Sequence, residues 1–383
     1  MIPYGKQTID EDDIETVLAT LKSSNLTQGE QVPAFESAVA KYVHSKYAMA
    51  TSSATAALHL SCLSLGLNDK DIGWTTPLTF TASANAIRYC GANVDFVDID
   101  ITTGCISISC LTEKLKIAAL KKTLPKVLIV VHYSGISCDM EAIHNACQPY
   151  GVKIIEDASH AIGGTYQNKT IGCCQYSELT IFSFHPVKII TSGEGGMITT
   201  NSKELSKKIK LLSSHGITKD PLSMNKSFAE PWHYEQHELG FNYRMSDIHA
   251  SLGLSQLKKL PLFIEKRQQQ AEIYKKTLKD LPLTLLSVPE NCSSPWHIFV
   301  IQLRKESQLS RVELYHGLKE KGIGCQVHYI PVHTHPYYQE LGFNWGNFPQ
   351  AELFYQHCLT IPLYPSLAEQ QNIIIENLQL LLK

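Results

Sequence analysis

The 383-residue sequence lacks any run of about 18 uninterrupted apolar residues, the least a helix needs to cross a bilayer. Its opening, MIPYGKQTIDEDDIETVLATLKSS, has no basic stretch followed by an apolar one, so no secretory leader is expected and the chain is assigned to the cytoplasm. Excess charge is missing too. The 34 Lys and Arg stand against 36 Asp and Glu with no long basic run, which removes the electrostatic footprint of a nucleic-acid binder. None of the 11 cysteines forms a C-x-x-C pair, and Cys62, Cys90 and Cys147 lie in apolar stretches. Reduced packing thiols are expected rather than disulfides or zinc. Internal repeats and low-complexity tracts are absent. So is G-x-G-x-x-G at the first strand-to-helix turn, where TSSATAAL stands instead, and hydride transfer from a dinucleotide loses its support.

What is present is regular alternation. Thr8 and Glu11 have capping-box spacing, and Ile14, Val17, Leu18 and Leu21 then fall on one helical face. From residue 34 short apolar strands such as YAMAT, KVLIVVHY, VKIIEDAS and LTIFSF alternate with helical patterns, which implies a mostly parallel sheet covered on both faces. After about residue 245 the texture changes to two long helical patterns, the second beginning just after Pro261, and then to a shorter α+β section. The expected organisation is a large α/β domain over 1–245 and a smaller C-terminal domain over 246–383. The connection ITKDPLSMNKSFAEPWHYEQHE is long for a compact domain and reads as a functional loop or one ordered by a partner.

Three chemical signals gather at predicted strand ends. In TSSATAAL, hydroxyls stand where a helix begins, which suits either a phosphate on free backbone N–H groups or simple helix capping. Asp157 ends the run VKIIED at the carboxyl edge of the sheet, compatible with a Mg²⁺ ligand, a helix cap or a partner for a cationic ring nitrogen. Lys188 follows the strand LTIFSF by a few residues. A lysine desolvated in the same crevice becomes a nucleophilic amine able to form a Schiff base. Lysine, aspartate and a phosphate site together are what pyridoxal 5′-phosphate (PLP) requires, and Phe80 could offer a flat face to its ring. A metal reading is weaker: His233 and His237 are four apart, but HYEQH misplaces the glutamate of H-E-x-x-H, and no third ligand joins them or the cluster His328, His333 and His335.

The motifs LTQGEQVPAFESAVAKY, SSATAALHL, TTPLTFTASANAI, EDASHAIGGTY, SFHPVKIITSGEGGMITTN and GFNYRMSDIHASLGLSQL together resemble the DegT-type nucleotide-sugar aminotransferases, a fold-type-I PLP family. QVHYIPVHTHPYYQELGF is most similar to the branch that makes UDP-4-amino-4,6-dideoxy-N-acetyl-β-L-altrosamine for pseudaminic acid. The resemblance implies a seven-stranded, mostly parallel sheet between helices, with Lys188 as the Schiff-base and proton-shuttling lysine. It implies Asp157 on the pyridinium nitrogen, Phe80 against one ring face and His160 near the other face or the 3-hydroxyl. It further implies Ala54, Thr55 and Ser183 around the phosphate, with Asn242 arriving from a second subunit, hence a homodimer with shared active sites. His328 and Tyr329 are expected toward the substrate. By the same resemblance the amino donor is glutamate and the acceptor is C4 of a UDP-4-keto-6-deoxy-N-acetyl-hexosamine, with other keto nucleotide sugars as the alternative. Departures from the family pattern fall at Ala54, His160, Ile136, Ser137, Gly73 and Trp74. Lys188 argues against the related dehydratases, which carry histidine there. A non-catalytic PLP-binding protein is the competing class.

Overall fold

The computed structural model describes residues 1–220, 222, 224, 230–368 and 370–382. A seven-stranded sheet runs in the order β1 (Tyr47–Thr51), β9 (Gly196–Thr200), β8 (Leu179–Ser183), β5 (Lys153–Asp157), β4 (Val127–Val131), β2 (Ile72–Thr75) and β3 (Asn93–Phe96). β9 is antiparallel to both neighbours, and the other pairs are parallel. Smaller pairings join β6 (Thr165–Tyr166) to β7 (Lys169–Thr170) and β13 (Cys292–Ser293), and β10 (Ile217–Thr218) to β11 (Glu235–Gln236). An antiparallel sheet of β12 (Leu283–Leu285), β14 (Phe299–Leu303) and β15 (Cys358–Ile361) completes the set. β10 and β11 draw together the two ends of the long connection, in which residues 221, 223 and 225–229 lie outside the described residues.

The sheet is buried on both faces because its strands alternate two apolar sets. In β8, Leu179 and Ile181 join one core and Phe182 joins the other; in β9, Ile198 and Met197 divide the same way. The first core is closed by α3 (Ala54–Ser64), α4 (Thr81–Tyr89), α5 (Ile108–Lys121), α6 (Met140–Cys147) and α7 (Lys203–Ser213), through Leu58, Ile87, Leu111, Ile143 and Ile209. The second is closed by α2 (Gln31–Val43) and the first half of α8 (Asp247–Leu278), through Phe35, Val39 and Leu257. The unusual pair Gly73 and Trp74 has a packing reason. A Cβ on Gly73 would stand 2.8 Å from Ile87, while buried Trp74 lies under the Lys114 ammonium, 5.0 Å from the ring centre.

Three local expectations differ from what forms. α1 (Glu11–Leu21) is capped by Asp10 and Asp13 rather than Thr8 and Glu11: each carboxylate takes the other's backbone N–H, and Lys259 pairs with both. Its apolar face does not turn inward. Asp13 and Thr20 are buried against α8, where Asp13 accepts from Gln256 at 2.7 Å, whereas Ile14, Leu18 and Leu21 stay about half exposed. Pro261 does not start a new helix either; α8 runs through it. One lost backbone hydrogen bond is outweighed because this helix buries Leu257, Leu260 and Phe263 in one core and Ala271, Tyr274 and Leu278 in another. This third core lies between the three-stranded sheet, α9 (Arg311–Glu320) and α12 (Gln370–Leu382), with α10 (Pro336–Glu340) and α11 (Pro349–His357) returning toward the large sheet.

Candidate active site

A cavity of about 820 Å³ opens at the carboxyl ends of β4, β5 and β8, where a doubly wound sheet leaves room for a ligand. Ala54, Thr55, Phe80, Asp157, His160, Ser183, Lys188, His328 and Tyr329 all line it. Asn242 does not: it is exposed, on a stretch bridged to Ser214.

Asp157 is the last residue of β5 and is buried. One carboxylate oxygen accepts from Ser83 Oγ at 2.7 Å, the other from the Ser159 backbone N–H at 3.1 Å. Ser83, in the first turn of α4, lies 2.9 Å from Thr79 Oγ1; because Ser83 spends its proton on Asp157, Thr79 is the donor to Ser83. The relay fixes a buried carboxylate at the cavity wall. Such charge-assisted bonds contribute about 1.5–3 kcal/mol each.

Lys188 rides on the loop that leaves β8 and returns as β9. Phe184 closes that loop by donating to Gly195 O at 2.9 Å and accepting from Ser192 N and Thr191 Oγ1, while buried Ile189 and Ile190 pin it to the core. The lysine is half-buried, and desolvation pulls its ammonium from 10.5 to about 8, with Asp157 opposing the shift. Roughly a tenth of the amine is therefore neutral at pH 7, against well under a thousandth for a solvated lysine.

The turn before α3 forms the opposite wall. Ser53 Oγ accepts from Ala56 N–H as the N-cap, and the first-turn N–H groups of Ala54 and Thr55, which no helical carbonyl can reach, stand at the cavity edge. Gly196 permits this approach: a Cβ there would fall 2.5 Å from Ser53 O and 2.7 Å from Ala54 N. Of the three glycines in SGEGG only Gly193 has positive φ, so close packing rather than left-handed backbone explains Gly195 and Gly196. Ser183 ends β8 on the same side, its hydroxyl at the cavity wall.

Three imidazoles roof the cavity. His160 is buried, its Nε2 3.1 Å from the Tyr329 hydroxyl and its ring 4.4 Å from that of His297, and the Nδ1 atoms of both have no hydrogen-bond partner among the described residues. Burial, reinforced by nearby positive charge, holds His160 and His297 well below the ordinary imidazole range, and His328 is brought to about 3 chiefly by burial. All three are neutral at physiological pH. Burial likewise keeps the Tyr329 phenol protonated.

Sequence reasoning missed Ser83, Thr79, His297 and Tyr4. Tyr4 reaches the cavity because the first residues are stitched to the C-terminal half, with Gly324 N donating to Ile2 O and Leu363 N to Tyr4 O, and its ring lies 5.5 Å from that of His328. No local pattern marks these residues: Ser83, His297 and Tyr4 act through contacts far along the chain, and Thr79 acts only through Ser83. Two histidines of the metal reading are engaged elsewhere: His333 bonds Glu352 at 2.9 Å and His237 bonds Glu235 at 2.8 Å.

A desolvated amine, a fixed buried carboxylate, and free amides in a cradle that one Cβ would fill suit a planar, phosphate-bearing aldehyde. The residues present fit PLP.

Comparison with known proteins gives the same reading. The model of the DegT/DnrJ/EryC1/StrS aminotransferase family matches residues 7–379. A UDP-4-amino-4,6-dideoxy-N-acetyl-β-L-altrosamine transaminase of Campylobacter jejuni subsp. jejuni serotype O:23/36 is 40% identical, over 95% of this chain and 93% of that protein. The spore coat polysaccharide biosynthesis protein SpsC of Bacillus subtilis is 38% identical, over 96% of this chain and 93% of its own. Among solved structures, Helicobacter pylori PseC, an aminotransferase of pseudaminic acid biosynthesis, superposes with a TM-score of 0.89 at 31% identity, covering 100% of this chain and 99% of that one. The PMP form of Streptococcus pneumoniae Spr1654 superposes with a TM-score of 0.91 at 29% identity, covering 100% and 99%. The chain belongs to the DegT/DnrJ/EryC1/StrS aminotransferase family.

Proposed function

We propose that this protein is a PLP-dependent transaminase that moves an amino group from glutamate to C4 of a UDP-4-keto-6-deoxy-N-acetyl-hexosamine. The observation that carries the reading is the pairing of desolvated Lys188 with anchored Asp157 in one cavity at the sheet's carboxyl edge. The substrate class follows the names of relatives at about 40% identity over nearly the whole chain.

Bound PLP supplies an electron sink that lets an amino group pass from one carbon to another. The chain's residues prepare the rest. Lys188 Nζ, neutral in a useful fraction at pH 7, would anchor the cofactor through its aldehyde carbon and, once displaced by the amino group of the donor, would be the free amine that takes and returns the proton moving between carbons. Asp157, locked by Ser83 and Ser159, would hold the ring nitrogen protonated. The Ala54 and Thr55 amides with Ser183 would hold the phosphate, and Phe80, 61% exposed in the isolated chain, would cover one ring face. Neutral His160 can offer a hydrogen bond without adding a second cation beside Lys188.

The site is completed by a second copy of the chain, with Asn242 delivered across the interface. Its exposed position outside its own cavity supports this, as does the half-exposed apolar face of α1, with Ile14, Leu18 and Leu21 left uncovered. The domains divide the work: 1–245 carries the cofactor residues, and 246–383 brings His297, His328 and Tyr329 over them. The test is to incubate the holoenzyme with glutamate and the UDP-4-keto sugar and follow the sugar by mass spectrometry and NMR. Conversion to the 4-amino sugar with 2-oxoglutarate released is the expected result. No amination of this sugar, with ready amination of another keto nucleotide sugar, would overturn the substrate while leaving the chemistry.

A further inference from the structure

The turn that leaves β4, Tyr133–Gly135, stands behind the cavity wall and bonds to both C-terminal segments that roof the cavity. His132 N, just before it, donates to Asp157 O at 3.1 Å, which ties the turn to the strand carrying the buried carboxylate. Ser134 holds one roof segment, its Oγ donating to Ile298 O at 2.6 Å and its carbonyl accepting from His297 N at 3.2 Å. Tyr133 holds the other. Its hydroxyl donates to His328 O, one residue before Tyr329, whose hydroxyl lies 3.1 Å from His160 Nε2. We propose that Tyr133 is a positioning residue for the transamination: through the His328 carbonyl it sets the place of the Tyr329 hydroxyl, and through that hydroxyl the orientation of the His160 ring in the cavity with Lys188. This rests on the transaminase reading above and adds to it a residue that does not line the cavity.

Three observations carry it. The Tyr133 ring is fully buried, packed edge-on against Phe354 with centroids 5.5 Å apart, and Gly104 leaves it room, since a Cβ there would fall 2.4 Å from its Cδ1. A ring locked by packing delivers its hydroxyl to one place. Burial also holds that phenol well above its ordinary range, so it stays a donor at any working pH. The receiving carbonyl depends on it: the other donor to His328 O among the described residues is the Cys358 thiol at 3.8 Å, a weak one. His160 in turn has a single anchor. The Tyr329 hydroxyl is the one hydrogen-bond partner of its ring among the described residues, so a displaced Tyr329 releases the imidazole.

The experiment mixes the PLP-loaded full-length protein with glutamate in a stopped-flow spectrometer. Bleaching of the visible band gives the limiting rate and the glutamate concentration that half-saturates it, for wild type, Tyr133→Phe, Tyr329→Phe and the double variant. Tyr133→Phe should lower the limiting rate about tenfold and change the half-saturating concentration by less than about twofold, because the ring stays and only the positioning hydroxyl goes. In the Tyr329→Phe background the same substitution should cost less than about twofold, since the hydroxyl that Tyr133 places is already gone. A loss of packing alone would slow both backgrounds equally. Equal limiting rates for Tyr133→Phe and wild type, or an undiminished loss in the Tyr329→Phe background, would overturn the inference and leave the transaminase reading intact. Should Tyr133→Phe fail to fold, Tyr329→Phe decides: a limiting rate matching wild type would leave nothing for Tyr133 to position and overturn the inference, and a rate lowered about tenfold would support it. A wild type whose band glutamate does not bleach would overturn the transaminase reading, and this inference with it.

Discussion

Replacing Lys188 by methionine should stabilise the PLP-free protein while abolishing its chemistry. Desolvation lowers the ammonium from 10.5 to about 8, so folding at neutral pH forces a charged group into a site that disfavours it. Taken at face value, a shift of that size costs about 3 kcal/mol at pH 7. Lys188 is only half-buried, so screening reduces the expected gain to roughly 1–3 kcal/mol. At the usual unfolding entropy per residue, this raises the midpoint of a chain this size by about 1–4 °C. The sign fixes the pH window. Between pH 8 and 10.5 the unfolded chain holds more proton on this lysine than the folded one, so the wild type gains on the variant as pH rises through that range. The cost is fully present below about 8 and gone above 10.5. Urea denaturation of both PLP-free proteins at pH 7, 8.5 and 10 reads it directly. A variant less stable than wild type at pH 7, or a gap that stays constant with pH, would refute the claim that Lys188 is a desolvated amine.

Asp157→Asn should slow the half-reaction with glutamate by about two orders of magnitude or more in single-turnover absorption, because the carboxylate proposed to hold the ring nitrogen protonated would be gone. Ser83→Ala removes the 2.7 Å bond to Asp157 and should weaken PLP affinity by about tenfold, measured by equilibrium dialysis. Gly196→Ala puts a Cβ 2.5 Å from Ser53 O, and its displaced turn should bind PLP more weakly than wild type in the same dialysis, with little change in the far-UV spectrum. Lys188→Ala and Asn242→Ala chains, each inactive alone, should regain part of the activity as mixed dimers, since one of the two sites then holds both residues.

The strands of the large sheet and the inner cavity were legible because they rest on local signals. Short apolar runs such as VKIIED and LTIFSF mark strands with two buried faces, and Asp157 and Ser183 end them, with Lys188 a few residues on. What escaped depends on distance along the chain. Ser83 matters only because α4 lies against the end of β5, 74 residues away, and Tyr4 only because the N-terminus is bonded to the last third of the chain. Helical periodicity gave the apolar face of α1 without telling which way it points. Asp13 pairs with Lys259 and Gln256, so a polar seam holds the helix to α8 and turns the leucines out. Pro261 was a stop signal by propensity, overridden by the apolar area that α8 buries on both sides of it.

The most direct measurement is the absorption spectrum of the PLP-loaded protein before glutamate, after it, and after the keto sugar is added, beside Lys188→Ala. A visible band present in wild type, bleached by glutamate, restored by the UDP-4-keto sugar and absent from the variant is the expected result. A wild type whose band never forms, or whose band ignores every amino donor, would contradict the transaminase reading and leave a protein that at most binds the cofactor.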